Sequence, residues 1–503
     1  MGQSLSNLSW GQLVLSGIAA YFIYALTVAF YNVFLHPLSK YPGPKLRAAF
    51  YFPGHYETLR GVIHLNWHKL HEEYGEIVRV NPNTLSVIRP DAWREIYGHG
   101  SKALFVKDPQ FYPRRGKSEP VDIIAADDAD HARLRRSLNH AFSETALREQ
   151  EPIIKSYITL MIEKLQERAL SNEPVDIMKW LNFTTFDITG DLAFDESFDT
   201  LKNGEYNDWI ASILGMFWAT SILRTLRGYP IVGVPVMALL QFIPGLAAAR
   251  WRLSTYTHEK VTRRLASKTT RKDFMSYILA NSHDIPINDL KQTSGTLIVA
   301  GSETSATLLS GAIYYLATHP HWLTSLQHDL DTAFPTDSHI TFDTVKPLKR
   351  LTAILTETFR LYPPVPTSLP RVVNPSGATL SGAVLPAGTQ LGVAQYAMYR
   401  SSRHFTDPAT FHPERFLDAA HYATDKRHVI QPFSVGPRNC IGQSLAWAEL
   451  RTILARLVWR FDIQLEDGEA AKWDAQKVHV MWQKTGLVVR LKERRRGEMG
   501  QGL

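Results

Sequence analysis

No charged side chain occurs before Lys40 in this chain of 503 residues, and from Leu13 to Phe34 it reads LVLSGIAAYFIYALTVAFYNVF. A helix over that segment is about 33 Å long, enough to cross a hydrocarbon core of about 30 Å. A cleaved signal peptide needs a basic leading region, a shorter apolar run and a small-residue cleavage site, and none is present. The expectation is a membrane anchor over 13–35 after a short luminal stretch, 1–12. Lys40, Lys45 and Arg47 follow the span, so the positive-inside rule places the rest in the cytosol. Asn7-Leu8-Ser9 is a glycosylation sequon on the far side, discounted because it abuts the membrane. Pro37, Pro42 and Pro44 make 36–46 a stiff hinge. Residues 47–503 then read as one cytosolic domain, without internal repeats or low-complexity linkers.

The composition of that domain is ordinary for a folded protein, with 45% apolar and 20% charged residues. A net charge of +7 favours acidic partners or an anionic membrane surface. Nucleic acid is not expected as a partner, because the basic residues are scattered; Lys492-Glu493-Arg494-Arg495-Arg496 reads as a solvated tail. Glu76–Ile88 alternates like a strand pair around Asn81-Pro82-Asn83. Most of the remainder has helical period. Ile287–Thr318 contains no proline and stops before His319-Pro320, giving one helix of about 48 Å with a small, apolar centre at Leu297–Thr307. The fold class is therefore mainly α with a minor β part.

Cys440 is the only cysteine, which excludes an intramolecular disulfide and any multi-cysteine metal site. A structural thiol, a nucleophile or a single-thiolate metal ligand remain. Gly436 and Gly442 bracket it, as close approach to a flat ligand requires, and the pattern IGQSLAWAELRTILARLVWRF places it beside a helix N-terminus. That helix end and Arg438 favour the thiolate. Two other patterns carry no chemistry. His64, His68 and His71 share a helix face, but Gly75 stands where a metalloprotease needs histidine, so a surface face is expected. Gly442-Gln443-Ser444-Leu445-Ala446 lacks the preceding strand of a hydrolase elbow.

Phe433-x-x-Gly436-x-Arg438-x-Cys440-x-Gly442 resembles the haem-binding loop of the cytochrome P-450 family, the haem-thiolate monooxygenases. Glu357-Thr358-Phe359-Arg360 is similar to the family's Glu-x-x-Arg helix, and Pro413-Glu414-Arg415-Phe416 to the segment whose arginine joins that pair. Ala300-Gly301-Ser302-Glu303-Thr304-Ser305 resembles the oxygen-activating stretch of its long central helix. The resemblance spans about residues 10 to 490 and includes the anchor and hinge of microsomal members. It implies the P-450 fold, with haem b between the central helix and the Cys440 loop, Cys440 being the axial iron ligand. A thiolate ligand pushes electron density toward iron and favours O–O cleavage.

The same resemblance implies the other roles. Glu303 and Thr304 would relay protons, against the bland reading of Thr304 as a core residue bonding back to its own helix. Gly301, beside Ala300, would let the helix approach the haem, and a local widening there would admit water. Glu357, Arg360 and Arg415 would form a buried structural triad. Propionate ligands would be Arg438, Arg371 and, on the helix DHARLRRSLNHAF, His131 and Arg135, with His131 standing where the family often has tryptophan. Arg133 and Arg136 would form a solvated face able to dock an electron donor. The pocket would be lined by Phe105, Phe111, Ile123, Ile124, Val365, Leu369, Met481 and Trp482, which suits an apolar small-molecule substrate. Asp208–Leu246 would either dip into the bilayer or pack as a core helix pair.

The implied enzyme sits in the endoplasmic reticulum membrane, receives electrons from NADPH through cytochrome P-450 reductase, and consumes O2. It hydroxylates an apolar molecule, with YNVFLHPLSKYPGPKL most similar to fungal members of secondary metabolism. Oxidative coupling or cyclisation, peroxide isomerisation or dehydration on the same fold, and a non-enzymatic haem carrier or sensor are the alternatives.

Overall fold

The computed structural model describes residues 9–494 except 102–103, 115, 117–118, 241, 243, 268, 270, 282–284, 419 and 467–472. Asn7 of the sequon and Arg495-Arg496 of the basic tail lie outside the described residues. Arg494 is not simply solvated, since it pairs with Asp331 Oδ2 at 2.5 Å. Among the described residues helices dominate, accompanied by a five-stranded sheet and three smaller ones.

The N-terminal helix runs Trp10–Phe30 and continues as a π-helical turn over Tyr31–Leu35. It starts ahead of the expected span because Ser9 and Gln12 form a capping box. No residue of Trp10–Phe30 is buried, and the helix is long and apolar enough to cross a membrane. The hinge is fastened to the first strands. Leu38 is fully buried, Arg79 N–H donates to Pro42 O at 2.8 Å, and Asn32 Nδ2 donates to Ala49 O at 3.1 Å.

Ile77–Asn81 and Thr84–Val87 form the expected antiparallel pair. Gln390–Val393 adds in parallel, followed by Arg371–Val373 and Phe105–Lys107, whose register sets Lys107 opposite Arg371. On the first helix face of this region, His64 and His71 are buried rather than exposed as expected. His71 bonds Gly75 O and Ser86 Oγ, and His64 packs edge-on against Tyr396 and Trp482.

The central helix occupies Ile287–Thr318, as the proline-free run predicts. It lies against Ile177–Phe194, where Ser302 Oγ donates to Thr185 O at 3.0 Å. A Cβ on Gly301 would stand 3.2 Å from Thr189 Oγ1. Glycine there makes room for the neighbouring helix, while its backbone borders the cavity that holds Cys440. The helix is regular α through 300–304, so the expected widening is absent.

The main apolar cluster surrounds this helix and a second surrounds the five-stranded sheet; Phe433 and Ile441 pack on the first, Val435 on the second. The cysteine loop therefore lies at their seam. Farther out, Asp208–Arg227 and Pro230–Leu240 expose Trp218, Ile231, Val234 and Leu239, which the core-pair reading does not accommodate.

Candidate active site

Cys440 precedes the helix Gln443–Arg460, and its N–H donates to Phe433 O at 2.8 Å, closing the loop. Gly436 has φ +76, and a Cβ there would fall 2.0 Å from Tyr97 O, so only glycine fits. Arg135, expected at a propionate, is committed to this loop instead: it donates to Asn439 O at 2.6 Å and Asn439 Oδ1 at 2.9 Å. Burial pushes the Cys440 thiol up, opposed by a hydrogen bond from the Gly442 N–H and by the Arg135 charge. The Arg135 charge therefore acts on the sulfur, and Arg438 borders the same cavity. Cys440 is open to an internal cavity of about 280 Å³ while lying deep beneath the outer surface.

That cavity is bordered by Cys440, Gly442, Phe433, Arg438 and the backbone of Gly301. A larger one of about 720 Å³ adjoins it, and Ala300, Thr304, Val365 and Leu369 line both. Phe111, Ile124 and Met481 line the larger cavity as expected from the resemblance. Phe105 and Ile123 do not; their strand and loop turn them into the two cores. Trp482 is also elsewhere, stacked on Tyr362 at 4.4 Å with Nε1 donating to Pro363 O at 2.7 Å. Trp209, Ile213, Met216 and Phe217 complete the wall. Their helix has an apolar composition that suits a membrane or core element equally, so nothing local in the sequence marks it as a cavity wall.

Thr304 Oγ1 donates to Ala300 O at 2.6 Å while facing both cavities. Glu303, its neighbour, points away by the helical turn of about 100°. It is buried against Lys484, Nζ to Oε1 2.9 Å, and its Oε2 has no partner. Lys484 also donates to Asn182 Oδ1 at 3.1 Å, and Asn182 donates to Tyr206 Oη at 2.8 Å, beside a cavity of about 220 Å³. Glu449, unmarked in the sequence, lines the thiol cavity and accepts from Ser305 Oγ at 3.2 Å. Burial raises its pKa to about 8.

Cations gather around Arg438 of the thiol loop. Arg438 donates to Asp128 Oδ1 at 2.8 Å and Ala126 O at 3.0 Å, leaving a buried Nη1 without partner. Arg371 lies over the Tyr97 ring, and Lys107 Nζ lies 4.3 Å from the Tyr112 ring centre. Burial, then Arg438 and Arg371, bring Lys107 down to about 7. Burial, followed by Arg438 and Lys107, lowers His131 to about 3, so the ring is neutral. Mutually repelling cations with an orphaned guanidinium nitrogen fit a ligand bearing carboxylates, as haem does. Lys107 was missed because only the strand register brings it to Arg371. On the same helix as His131, Arg133 pairs with Asp130 and Asp289, whereas Arg136 is exposed.

Glu357, Arg360 and Arg415 are fully buried together. Arg360 Nη2 meets Glu357 Oε1 at 2.6 Å, Arg415 Nε meets it at 3.3 Å, and Asp425 Oδ2 takes Arg415 Nη1 at 2.5 Å. Phe359, on this same helix, packs 5.3 Å from the Phe433 ring, linking the charged core to the cysteine loop.

These features define a haem-thiolate protein, and a family model described as Cytochrome P450 matches residues 42–490. The chain belongs to the cytochrome P450 family of monooxygenases, which use haem-thiolate, O2, a redox partner and a small-molecule substrate. It is 41% identical over 489 residues to cytochrome P450 monooxygenase astA of Talaromyces wortmannii, covering 96% of this chain and 98% of that protein. Averantin hydroxylase of Dothistroma septosporum is 39% identical, with 95% and 91% covered. Trichothecene C-4 hydroxylase of Trichoderma arundinaceum is 40% identical, with 92% and 94% covered.

Proposed function

We propose that this chain hydroxylates an apolar small molecule in a fungal secondary-metabolite pathway, anchored in the endoplasmic reticulum by Trp10–Leu35 with its catalytic domain in the cytosol. Electrons come from NADPH through cytochrome P-450 reductase. The observation carrying this reading is the wall shared by the Cys440 cavity and the large apolar cavity, made by Ala300, Thr304, Val365 and Leu369.

Cys440 would hold the haem, which when bound would supply oxygen activation. Arg371, Arg438, Lys107 and neutral His131 would hold its propionates. Thr304 presents a hydroxyl to the shared wall, and Glu303, paired with Lys484, lies one residue away, where a rotation or a bridging water would join them. The apolar wall excludes bulk water and positions the substrate by shape. The exposed apolar faces of Asp208–Arg227 and Pro230–Leu240 fit a domain resting on the bilayer.

The test is turnover of a panel of apolar polycyclic compounds by microsomes with reductase and NADPH under ¹⁸O₂. One ¹⁸O atom in the product, absent without NADPH, is the expected result. Conversion of a hydroperoxide without reductase, and no labelled product, would favour the isomerase reading instead.

A further inference from the structure

A separate cavity of about 380 Å³ lies away from the thiol, between the helix Phe52–Arg60 and the strands Thr84–Val87 and Gln390–Val393. The segment 365–370 divides it from the oxidation chamber. Val365 and Leu369 face the chamber; Pro366, Thr367, Ser368 and Pro370 face this cavity. Phe111 lines both spaces and stands between them.

The two spaces differ in chemistry. Arg224, from the helix Asp208–Arg227, reaches into the smaller cavity with its guanidinium 4.6 Å from the Phe111 ring centre. It forms no ion pair or hydrogen bond among the described residues. Asp108 is the only acid in the wall. Its Oδ1 accepts the Gln110 N–H at 2.8 Å, and burial raises its pKa. His55 bonds the Tyr229 hydroxyl at 3.0 Å and is held neutral, chiefly by burial. Trp67 Nε1 and Asn81 Oδ1, both buried in this wall, also lack partners. The fully buried Arg360, by contrast, reaches Glu357 and the carbonyls of Tyr399, Pro408 and Thr410. Arg224 is half-buried, burial and the nearby Asp108 charge act on it in opposite directions, and its donors remain free for a ligand that brings a negative charge.

We propose that this cavity is a recognition subsite for a carboxylate carried on an apolar molecule. Arg224 is the counter-charge, and the apolar remainder passes Phe111 into the oxidation chamber. The guanidinium fork donates to both carboxylate oxygens, and the ring beneath it fixes the plane in which they are met. A neutral ester of the same shape leaves the fork unpaired and is discriminated against. The assignment of this ligand as the substrate rests on the monooxygenase reading; the binding itself does not.

The experiment uses the full-length haem-loaded protein in detergent, with 9-anthracenecarboxylate and its methyl ester followed by equilibrium dialysis and fluorescence. Wild type is expected to bind the acid about tenfold or more tightly than the ester, the scale of a charge-assisted pair. Arg224→Gln should erase the preference, and Arg224→Lys should keep part of it. Equal affinities in the wild type, no binding of either compound, or a preference surviving in Arg224→Gln would overturn the proposal. The carbon monoxide difference spectrum of each sample reports separately on folding and on the haem-thiolate reading.

Discussion

Two groups of buried cations flank the cysteine loop, and they differ in what surrounds them. Around Glu357, Arg360, Arg415 and Asp425 the carboxylates and backbone carbonyls take up the guanidinium donors, with Arg415 also reaching Asp407 O at 2.8 Å. Around Lys107, Arg371, Arg438 and His131 the cations meet the backbone carbonyls of Ile124, Pro370 and Ala126 and, among the described residues, hydrogen-bond one carboxylate, Asp128; Arg438 Nη1 is orphaned, and Lys107 and His131 are displaced toward neutrality. The first group is complete within the chain and holds the fold. The second is incomplete until an anion arrives, which is what a binding site for haem propionates requires.

The largest expected effect comes from breaking the complete group. Glu357→Gln or Arg360→Leu leaves a buried charge unpaired and should cost about 3–5 kcal/mol, read as a lower urea midpoint or as absence of folded protein. A variant as stable as wild type would remove the contrast.

Glu449 sharpens the comparison from the opposite side, as a buried acid without a cation. Its folded pKa, about 8, lies above its unfolded value of 4.5. Unfolding therefore releases a proton between those pH values. Stability is full below about pH 4.5, falls by up to about 1.4 kcal/mol per pH unit, and is lost as pH passes the folded value. Glu449→Gln, which keeps an acceptor for Ser305, should flatten that decline in urea titrations at pH 5 and pH 8.

Altering the incomplete group should leave the fold and weaken the cofactor. Lys107→Met and Arg438→Leu are each expected to speed haem transfer to apomyoglobin by about 10- to 100-fold while changing the urea midpoint little. Unchanged haem retention in the double variant would refute the propionate assignment. The smallest effect on stability belongs to Thr304→Ala, within about 1 kcal/mol because only a bond back to Ala300 O is lost. There the share of NADPH electrons recovered in product should fall and released peroxide should rise.

What the sequence made legible follows the same division. Cys440, the Glu357–Arg360 spacing and the bounds of the 287–318 helix depend on local chemistry, so they could be read from neighbouring residues. Lys107, Asp425, Lys484 and Glu449 acquire their roles from pairings across the chain, which no local pattern announces. Direction was equally hidden. Gly301 opens toward Thr189, Glu303 toward Lys484, and Phe105, Ile123 and Trp482 toward packed cores, because small rotations about an element decide which face a residue occupies. His64 and His71 followed an amphipathic period, yet a sheet and an aromatic cluster cover that face.

The central claim is that the lone thiol ligates haem iron, and the carbon monoxide difference spectrum of the reduced microsomal protein tests it most directly. Wild type should show the red-shifted Soret band of thiolate-ligated haem, and Cys440→Ser should lose it. A band at the position of histidine-ligated haem in the wild type, or one unchanged in Cys440→Ser, would contradict the account.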